Sequence, residues 1–463
     1  EPRTHNPLVA GSSPAGPTDV LFLRERPRPC SLKVLLVTQY WSPETGVPQR
    51  RWAWLSEVLQ HSGHEVFVIA PPPRSTLSRT RGTRIRTSQQ AADTAVAADS
   101  KATVYRSYRP ATGDSISAKV LEQLLVAAGQ VVVGRKVFKD VEPAIVIGTV
   151  PAIPTAVVTF ILAKLGRAPY IIDLRDAWPD LLRQADSWNA GVGKKSVRET
   201  IAKFGPLQLV SRLTEFALNN VLRKSDAILV TSSNLQQNLL QRSKIQRRGR
   251  QPNIEVVRNV FPTENTRVAQ RDPGAQPAGT LNVLYAGTIG RAQNLVNALR
   301  AARIAKDQGV DLSLTFVGAG ASKKYVKQQA EQMGLEARFI NQQLPENLER
   351  FYSWADTALV HLTEWEPLER TVPSKTYELM ELGIHISAVV EGEAADLVNM
   401  LEGGDVVEPG NPQKLAELWI ALSRDRSRLR VSDAGRKWVE EQRQCVAPKT
   451  FLTVVENAKE LDS

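Results

Sequence analysis

The sequence predicts an α/β protein built from two parallel sheets that follow each other along the chain. Short apolar runs rich in Val and Ile alternate with Gly- or Pro-bearing loops and helical stretches. The runs are continuously apolar, which is typical of strands buried on both faces of a parallel sheet flanked by helices. The pattern stops at a Pro-, Gly- and Gln-rich segment, 271–279, and then begins again. A chain of 463 residues fits two domains of about 200 residues each.

Each apolar run is interpreted as one strand. The first series comprises KVLLVT (33–38), EVFVIA (65–70), TVYR (103–106), AIVIG (144–148), YIIDL (170–174), AILVT (227–231) and IEVV (254–257). The second series comprises LNVLYAG (281–287), LSLTFVG (312–318), ARFI (337–340), TALVH (357–361), ISAVV (386–390) and DVVEPG (405–410). Both series support a parallel sheet with helical connections.

The domain boundaries follow from these series. We expect residues 1–31, with six prolines and no hydrophobic period, to be a disordered leader that arises upstream of the native start. Residues 32–265 form the first predicted domain and residues 266–439 the second, with the C-terminal helix 440–463 returning to the first. Residues 74–101 are predicted to be a surface loop.

Charge differs between the two halves. Residues 1–250 carry 35 Lys and Arg against 19 Asp and Glu, a net +16, and the remainder carries 24 against 29, a net −5. Two cysteines, Cys30 and Cys445, cannot form a disulfide framework or a four-ligand zinc site. No run reaches the roughly 18–20 apolar residues of a membrane-spanning helix. We therefore expect a cytoplasmic protein that does not cross a membrane.

Several catalytic motifs are absent from the sequence. It contains no HExxH, CxxC, P-loop, GxSxG or complete GxGxxG motif, and no DxD carboxylate pair for a divalent metal. The five histidines are scattered and suggest no ligand set. These absences argue against hydrolytic metalloenzymes, NTPases and serine hydrolases, and we expect neither a metal nor a cofactor.

Glycine-bearing loops follow three of the predicted strands. Gly46 follows the first strand, Gly287 and Gly290 precede Arg291 in the second half, and Gly318 follows the next strand. Open α/β sheets bind ligands at the carboxyl ends of their strands, and helix-initial N–H groups favour anions. Any one loop alone is better interpreted as an ordinary strand-to-helix turn, but three in corresponding places favour a phosphate-binding site.

The segment PSKTYELMELG (373–383) is the most specific motif. Pro373 suits a first helical turn, with Ser374 as its cap. The helix start, the Ser374 hydroxyl and the Lys375 cation suit a pyrophosphate, and the Glu378 carboxylate suits a pair of ribose hydroxyls. The alternative is a capped surface helix with solvated charges.

The order of these motifs resembles that of GT-B glycosyltransferases of family 4, above all the branch of colanic acid, O-antigen and exopolysaccharide synthesis. The resemblance spans about residues 32–460 and rests on QYWSPETGVPQRRWAWLSEVLQHSGHEVFVIA, YIIDLRDAWPD, DAILVTSSNL, VVRNVF, LYAGTIGRAQNL, FVGAGA and PSKTYELMELG. It implies two Rossmann-like domains facing a central cleft, with acceptor bound by the first domain and nucleotide-sugar by the second. It also implies metal-independent transfer.

The resemblance implies roles for individual residues. Donor nucleotide and phosphates would be bound by Gly46, Gly287, Thr288, Gly290, Arg291, Gln293, Gly318, Ser374, Lys375 and Glu378. Catalysis would involve Arg175, Asp176 and Lys375. Four positions depart from the family pattern. Arg370 stands eight residues before Glu378 in place of a glutamate, and neutral Thr288 and Gln293 stand where a phosphate-binding Arg and Lys are usual. Arg175 stands in place of the histidine of a common His-Asp pair near the acceptor.

The implied function is retaining transfer of a sugar from a UDP- or GDP-linked donor to a glycan or a polyprenyl-lipid-linked acceptor of the cell envelope. The basic first half predicts docking on an anionic membrane, at the inner face of the plasma membrane. Alternatives are another GT-B enzyme, an epimerase or a phosphorylase, or a non-catalytic binding protein. Nucleic acid is not an expected partner, because the basic clusters 74–86 and 241–251 are not interleaved with aromatic residues.

Overall fold

A computed structural model describes most of the predicted elements. The described residues are 31–44, 46–73, 102–110, 116–150, 153–183, 206–242, 245–246, 253–262, 280–344 and 347–460. Residues 1–30 of the predicted leader, the predicted loop 74–101 and the segment 271–279 lie outside them.

The first half contains a seven-stranded sheet in which every neighbouring pair is parallel. Its strands are β1 (Lys33–Val37), β2 (Glu65–Ala70), β3 (Thr103–Arg106), β4 (Ile145–Val150), β5 (Tyr170–Leu174), β6 (Ala227–Val230) and β7 (Asn253–Val256). The spatial order is β3-β2-β1-β4-β5-β6-β7. Strands β4, β5 and β6 are buried throughout, as their continuous apolar sequences predict.

Among the described residues, six helices connect these strands: α1 (Val47–His61), α2 (Ile116–Val141), α3 (Ile153–Gly166), α4 (Asp180–Arg183), α5 (Pro206–Lys224) and α6 (Ser233–Leu240). Helices α2 and α5 both contact α3. Their inward side chains join one buried apolar cluster with β4 and β5. A three-helix layer of α2, α3 and α5 therefore covers one face of the first sheet.

The second half repeats the same topology with six parallel strands. They are β8 (Leu281–Ala286), β9 (Leu312–Val317), β10 (Ala337–Ile340), β11 (Thr357–His361), β12 (His385–Val389) and β13 (Gly404–Val407), in the order β10-β9-β8-β11-β12-β13. The helices are α7 (Leu295–Asp307), α8 (Lys323–Gln332), α9 (Glu349–Trp354), α10 (Ser374–Leu382), α11 (Glu393–Met400), α12 (Pro412–Arg424) and α13 (Ala434–Glu441).

The last helix, α14 (Ala447–Glu460), lies against the first half. It follows α13 through a π-helical turn, Gln442–Val446, and contacts α1 and strands β4 to β7. The ring of Phe451 meets Trp52 of α1 edge-on, with centroids 6.0 Å apart. The largest buried apolar cluster includes α1, α10 and α14 and is continuous across both halves. The structure thus confirms the predicted fold class, with two Rossmann-like α/β halves.

Candidate functional site

Each sheet has its topological switch point at the equivalent position, between its first and fourth strands. In each half the chain moves outward from the first strand in one direction, and then returns to its other side with the fourth strand, β4 or β11. Open parallel sheets bind ligands at the carboxyl ends of the strands beside that point. The predicted residues therefore have to be located relative to the ends of β1, β5, β8 and β9.

The start of α10 carries a compact polar cluster. Lys375 Nζ lies 2.8 Å from Glu378 Oε2 and donates to the hydroxyl oxygen of Tyr352, also at 2.8 Å. The Tyr352 hydroxyl in turn donates to Glu378 Oε1 at 2.7 Å. The helix places these groups together because residues three apart share a face. Contrary to the prediction, Pro373 occupies the N-cap position, and the Ser374 side chain begins the helix without making a capping hydrogen bond.

The pKa values within this cluster reflect burial and charge. Burial alone would raise the pKa of Glu378, but the Lys375 ammonium, supported by Arg50 and the Tyr352 hydroxyl, outweighs it and lowers that pKa. Burial, together with the Glu378 carboxylate, raises the pKa of the Tyr352 phenol well above its ordinary value. The cluster is therefore an ion pair with a neutral phenol that donates to the carboxylate.

A cation from the first half reaches the same carboxylate. Arg50 of α1 places Nη1 3.9 Å from Glu378 Oε2. Its Nη2 donates to the carbonyl oxygen of Pro262 at 2.9 Å, and its guanidinium lies 4.7 Å from the centre of the Phe261 ring. Glu378 thus lies where the two halves meet, between Lys375 of one half and Arg50 of the other.

Two glycine loops of the second half are locked together. A Cβ at Gly318 would lie 1.8 Å from the carbonyl oxygen of Gly287, so only glycine permits this approach. The backbones are joined by hydrogen bonds from Gly287 N to Val317 O and from Ile289 N to Ala319 O, both 2.9 Å. The structure therefore brings together the Gly287 and Gly318 loops at the ends of β8 and β9.

The side chains after Gly287 have different environments. The Gln293 amide turns back and accepts a hydrogen bond from Gly290 N at 3.1 Å, which fixes the short 3₁₀ turn that begins at Arg291. The carbonyl oxygen of Thr288 accepts from the Tyr285 hydroxyl at 2.6 Å, and Thr288 itself is exposed. The Nε of Arg291 is buried and has no hydrogen-bond partner among the described residues. Arg291 is therefore a cation with an unused donor beside the locked loops.

Gly46 is the N-cap of α1, in an extended backbone conformation. A Cβ at this position would lie 2.6 Å from Gln49 Oε1, an atom that is buried without a hydrogen-bond partner among the described residues. The glycine leaves room for this oxygen beside the start of α1, whose second residue, Pro48, carries no N–H. Arg50 lies one turn further along the same helix.

Arg175, which is buried, and Asp176, which is partly exposed, follow β5. Arg175 Nε donates to the carbonyl oxygen of Val150 at 3.0 Å, while its Nη2 is buried without a partner among the described residues. Burial lowers the pKa of Arg175, although Asp173 and Asp176 oppose that shift. Burial raises the pKa of Asp176, with Arg175 opposing. This carboxyl group therefore holds a proton at higher pH than an exposed aspartate.

A buried ion pair between Arg51 and Asp173 lies beside Arg175. Asp173, the fourth residue of β5, has no exposed surface and accepts from Arg51 Nη2 at 2.9 Å and from Trp52 Nε1 at 2.8 Å. Arg51 Nη1 donates to the carbonyl oxygen of Val257 at 2.8 Å. These contacts fix α1 against the end of β5, next to Arg175.

Arg370 connects the halves at a second place. Its Nη1 donates to Asp180 Oδ2 of α4 at 2.6 Å, and it also pairs with Glu366 in its own half. Its carbonyl oxygen accepts from the Ser232 hydroxyl at the start of α6. The residue that replaces the expected glutamate is thus part of the contact between the halves.

Sequence reasoning did not single out Arg50, Tyr352 or Asp173. Arg50 lies four residues after Gly46 on α1, and this spacing was the available signal. Nothing near Tyr352 in sequence marks it, because its partners lie 23 and 26 residues away. Among the described residues, no group of three or more His, Cys, Asp or Glu is arranged to hold a metal ion. No described helix is long and apolar enough to span a membrane.

Comparisons with known proteins agree with this arrangement. Residues 267–438 match the model of the family described as glycosyl transferases, group 1. No curated protein matches the chain in sequence. Sucrose-phosphate synthase from Thermosynechococcus elongatus is similar in structure, with 15% identity and a TM-score of 0.64, over 93% of this chain and 99% of that one.

Two further solved structures are similar. HepE from Anabaena, in complex with UDP-glucose, has 16% identity and a TM-score of 0.58, over 93% of this chain and 99% of that one. The apo form of WaaB, a lipopolysaccharide outer core galactosyltransferase, has 15% identity and a TM-score of 0.54, over 92% and 99%. At these identities the likeness shows the fold alone. The chain has the GT-B arrangement of two Rossmann-like halves, and the match of its second half supports a glycosyltransferase.

Proposed function

We propose that the protein is a retaining, metal-independent glycosyltransferase of the family 4 type. It transfers a sugar from a UDP- or GDP-linked donor to a glycan or polyprenyl-lipid-linked acceptor in cell-envelope or exopolysaccharide synthesis. The second half binds the donor. The first half, together with α14, binds the acceptor. The enzyme works in the cytoplasm at the inner face of the plasma membrane.

The observation that carries this proposal is the cluster of Lys375, Glu378 and Tyr352 at the start of α10. A helix N-terminus and an ammonium group suit a diphosphate, and a buried, ionised carboxylate suits ribose hydroxyls. The family match covers this segment, and the structure of HepE, which has the same fold, holds UDP-glucose. Arg291, with its unused Nε, and the N–H groups of the Gly287 loop supply further donors for phosphate.

The proposed reaction proceeds on one face of the sugar. The acceptor oxygen bonds to the anomeric carbon as the bond to the phosphate oxygen breaks, and the acceptor proton passes to the leaving diphosphate. Lys375 and Arg291 stabilise the charge that develops on that diphosphate. Gly46 permits close approach of the α1 N-terminus to the donor. Arg175 and Asp176 orient the acceptor, whose proton goes to the leaving diphosphate.

The proposal predicts that Lys375→Ala and Glu378→Ala each abolish sugar transfer. Each variant removes a charge-assisted hydrogen bond worth about 1.5–3 kcal/mol, so donor affinity should fall by about 10- to 150-fold. The measurement is release of nucleoside diphosphate from a panel of UDP- and GDP-sugars, with binding of UDP and GDP followed by calorimetry. Circular dichroism establishes that both variants are folded.

A matched control is Lys414→Ala, which removes another lysine of the second half from its exposed pair with Glu408. This variant should release nucleotide at the wild-type rate. Turnover near wild type in both Lys375→Ala and Glu378→Ala would refute the site. Transfer by neither the wild type nor the control, with any nucleotide-sugar, would instead favour a binding protein.

A further inference from the structure

The outer face of the three-helix layer in the first half is unusually apolar for a protein surface. Thirteen large apolar side chains are exposed among the described residues, and seven of them lie on two helices, α2 and α5. They are Val120, Leu121, Leu124, Leu125 and Val132 of α2, and Leu213 and Phe216 of α5. Clustered exposure of this kind marks an interaction surface, whereas isolated apolar side chains on a surface need no explanation.

The spacing of these residues forms a stripe on each helix. On α2, the exposed positions 121, 124, 125, 128 and 132 recur every three or four residues and so share one face. On α5, Leu213 and Phe216 are three apart. Helix α3 lies between them: Gly134 of α2 packs against Leu162 of α3, and Lys224 of α5 lies over the Phe160 ring at 5.3 Å. The two stripes therefore flank one helix on one face of the molecule.

Exposed basic side chains lie near the C-terminal ends of α2, α3 and α5. Exposed cations follow the apolar stripe on α2, at Arg135, Lys136 and Lys139, and others lie on α3 and α5, at Lys164, Arg223 and Lys224. Within the described parts of these three helices, Asp140 is the only exposed acidic side chain, and Glu215 of α5 is partly exposed. The face thus combines apolar and cationic side chains with almost no negative charge.

The fold places the apolar end of this face beside the ligand-binding edge of the sheet. All strands are parallel and the helices return between them, so the N-terminal ends of α2 and α5 lie at the carboxyl edge. Arg175 and Asp176 follow β5 at that edge. The basic ends lie at the opposite edge, about 27 Å from Leu121 along α2 to Lys139.

We propose that the outer face of α2, α3 and α5 is a docking surface for an anionic lipid bilayer. Amphipathic helices lie in the plane of a membrane, with apolar side chains among the acyl chains and basic residues near the headgroups. The charge of this face favours a bilayer over a second copy of the chain, whose own basic helix ends would repel it. The inference deepens the proposed function: a lipid-linked acceptor would emerge beside the edge that carries Arg175 and Asp176.

The test measures binding to vesicles of phosphatidylcholine, with and without phosphatidylglycerol, by co-sedimentation. The wild type should bind the anionic vesicles more tightly. The double variant Leu124→Ser/Phe216→Ser should lower the partition coefficient at least about tenfold, because it removes two side chains that enter the bilayer. Arg135→Glu/Lys136→Glu should weaken binding to anionic vesicles alone, by about fivefold or more for each charge.

The matched apolar control is Leu344→Ser/Met400→Ser in the second half. Leu344 is 54% exposed and Met400 62%, against 55% for Leu124 and 72% for Phe216. These control changes should leave vesicle binding as in the wild type. Equal vesicle binding by the wild type and by both α2–α5 variants would overturn the docking surface. So would a dimer in solution that Leu124→Ser/Phe216→Ser dissociates without affecting vesicle binding.

Donor hydrolysis without vesicles separates this inference from the proposed function. None of the docking variants changes a residue that we place at the donor site, so each should hydrolyse nucleotide-sugar at the wild-type rate. If vesicle binding depends on α2 and α5 but no nucleotide-sugar is hydrolysed, the docking surface stands and the proposed activity fails.

Discussion

At Asp173, a carboxylate with no exposed surface is held by an equally buried guanidinium. Arg51 and Trp52 donate three hydrogen bonds to it, at 2.8–3.2 Å. Taking two charges out of water is costly, and such a pair stabilises a protein only while both partners are present. The pair therefore fixes the position of α1, and with it Gly46 and Arg50, relative to the end of β5.

Replacement of Asp173 by asparagine should destabilise the protein by about 3–5 kcal/mol, because it leaves the Arg51 cation buried without a counter-charge. Urea unfolding followed by circular dichroism measures the difference. Asp307→Asn is the control, since it breaks an exposed Asp–Arg pair on α7 and should cost less than about 0.5 kcal/mol. Equal losses in the two variants would show that the buried pair does not hold α1 in place.

At the scale of elements, the loops after β8 and β9 are inseparable. The Cβ of any other residue at position 318 would collide with the backbone of the neighbouring loop. A hydrogen bond from Ile289 N to Ala319 O also joins the two loops. Since neither loop can shift alone, the N–H groups that they present are held in fixed positions. Fixed donors bind an anion without having to be ordered by it.

Gly318→Ala should therefore cost about 2–3 kcal/mol and weaken UDP or GDP binding in a calorimetric titration. The control is Gly309→Ala, at a glycine with φ +76° and no atom within 4 Å of the added Cβ. This control should lose only the stability that a left-handed backbone costs an alanine, about 1–2 kcal/mol, and should bind nucleotide as the wild type does. A Gly318→Ala variant as stable as Gly309→Ala would contradict the locked-loop interpretation.

Strands could be predicted from the sequence, whereas most contacts between distant side chains could not. Continuous apolar runs identified every strand that the structure describes, because burial on both faces imposes apolar side chains in the chain itself. Lys375 and Glu378 were also identifiable, since they are three positions apart on one helix. The pairing of Arg50 with Glu378 was not, because 328 positions of sequence separate the two residues and only the packing of the halves brings them together. The functional roles of all these residues stay predictions.

At the scale of the whole molecule, polar contacts reinforce a continuous apolar core between the halves. Glu393 of α11 forms an ion pair with Arg258 at 2.5 Å and accepts from Asn234 N at 2.8 Å, both in the first half. Arg443 forms a bidentate pair with Glu381 and also donates to the carbonyl oxygen of Val260 at 2.6 Å. Unfolding of one half therefore removes partners from the other.

Glu393→Ala should reduce this coupling. It leaves Arg258 and Asn234 N without a partner carboxylate, which we expect to cost about 2–4 kcal/mol and to separate the thermal transitions of the halves. Differential scanning calorimetry detects this as a calorimetric enthalpy that exceeds the van't Hoff enthalpy. Asp396→Ala, an exposed acid on the same helix, should leave a single transition. Identical scans for the two variants would argue against coupling through Glu393.

The return of α14 to the first half means that the chain passes between the halves twice, once within 263–280 and once near the π-helical turn 442–446. A protease cut in the first crossing would not release two independent domains. The first fragment would lack α14 and expose the apolar surface that Phe451 covers, so the two fragments should remain associated until denatured.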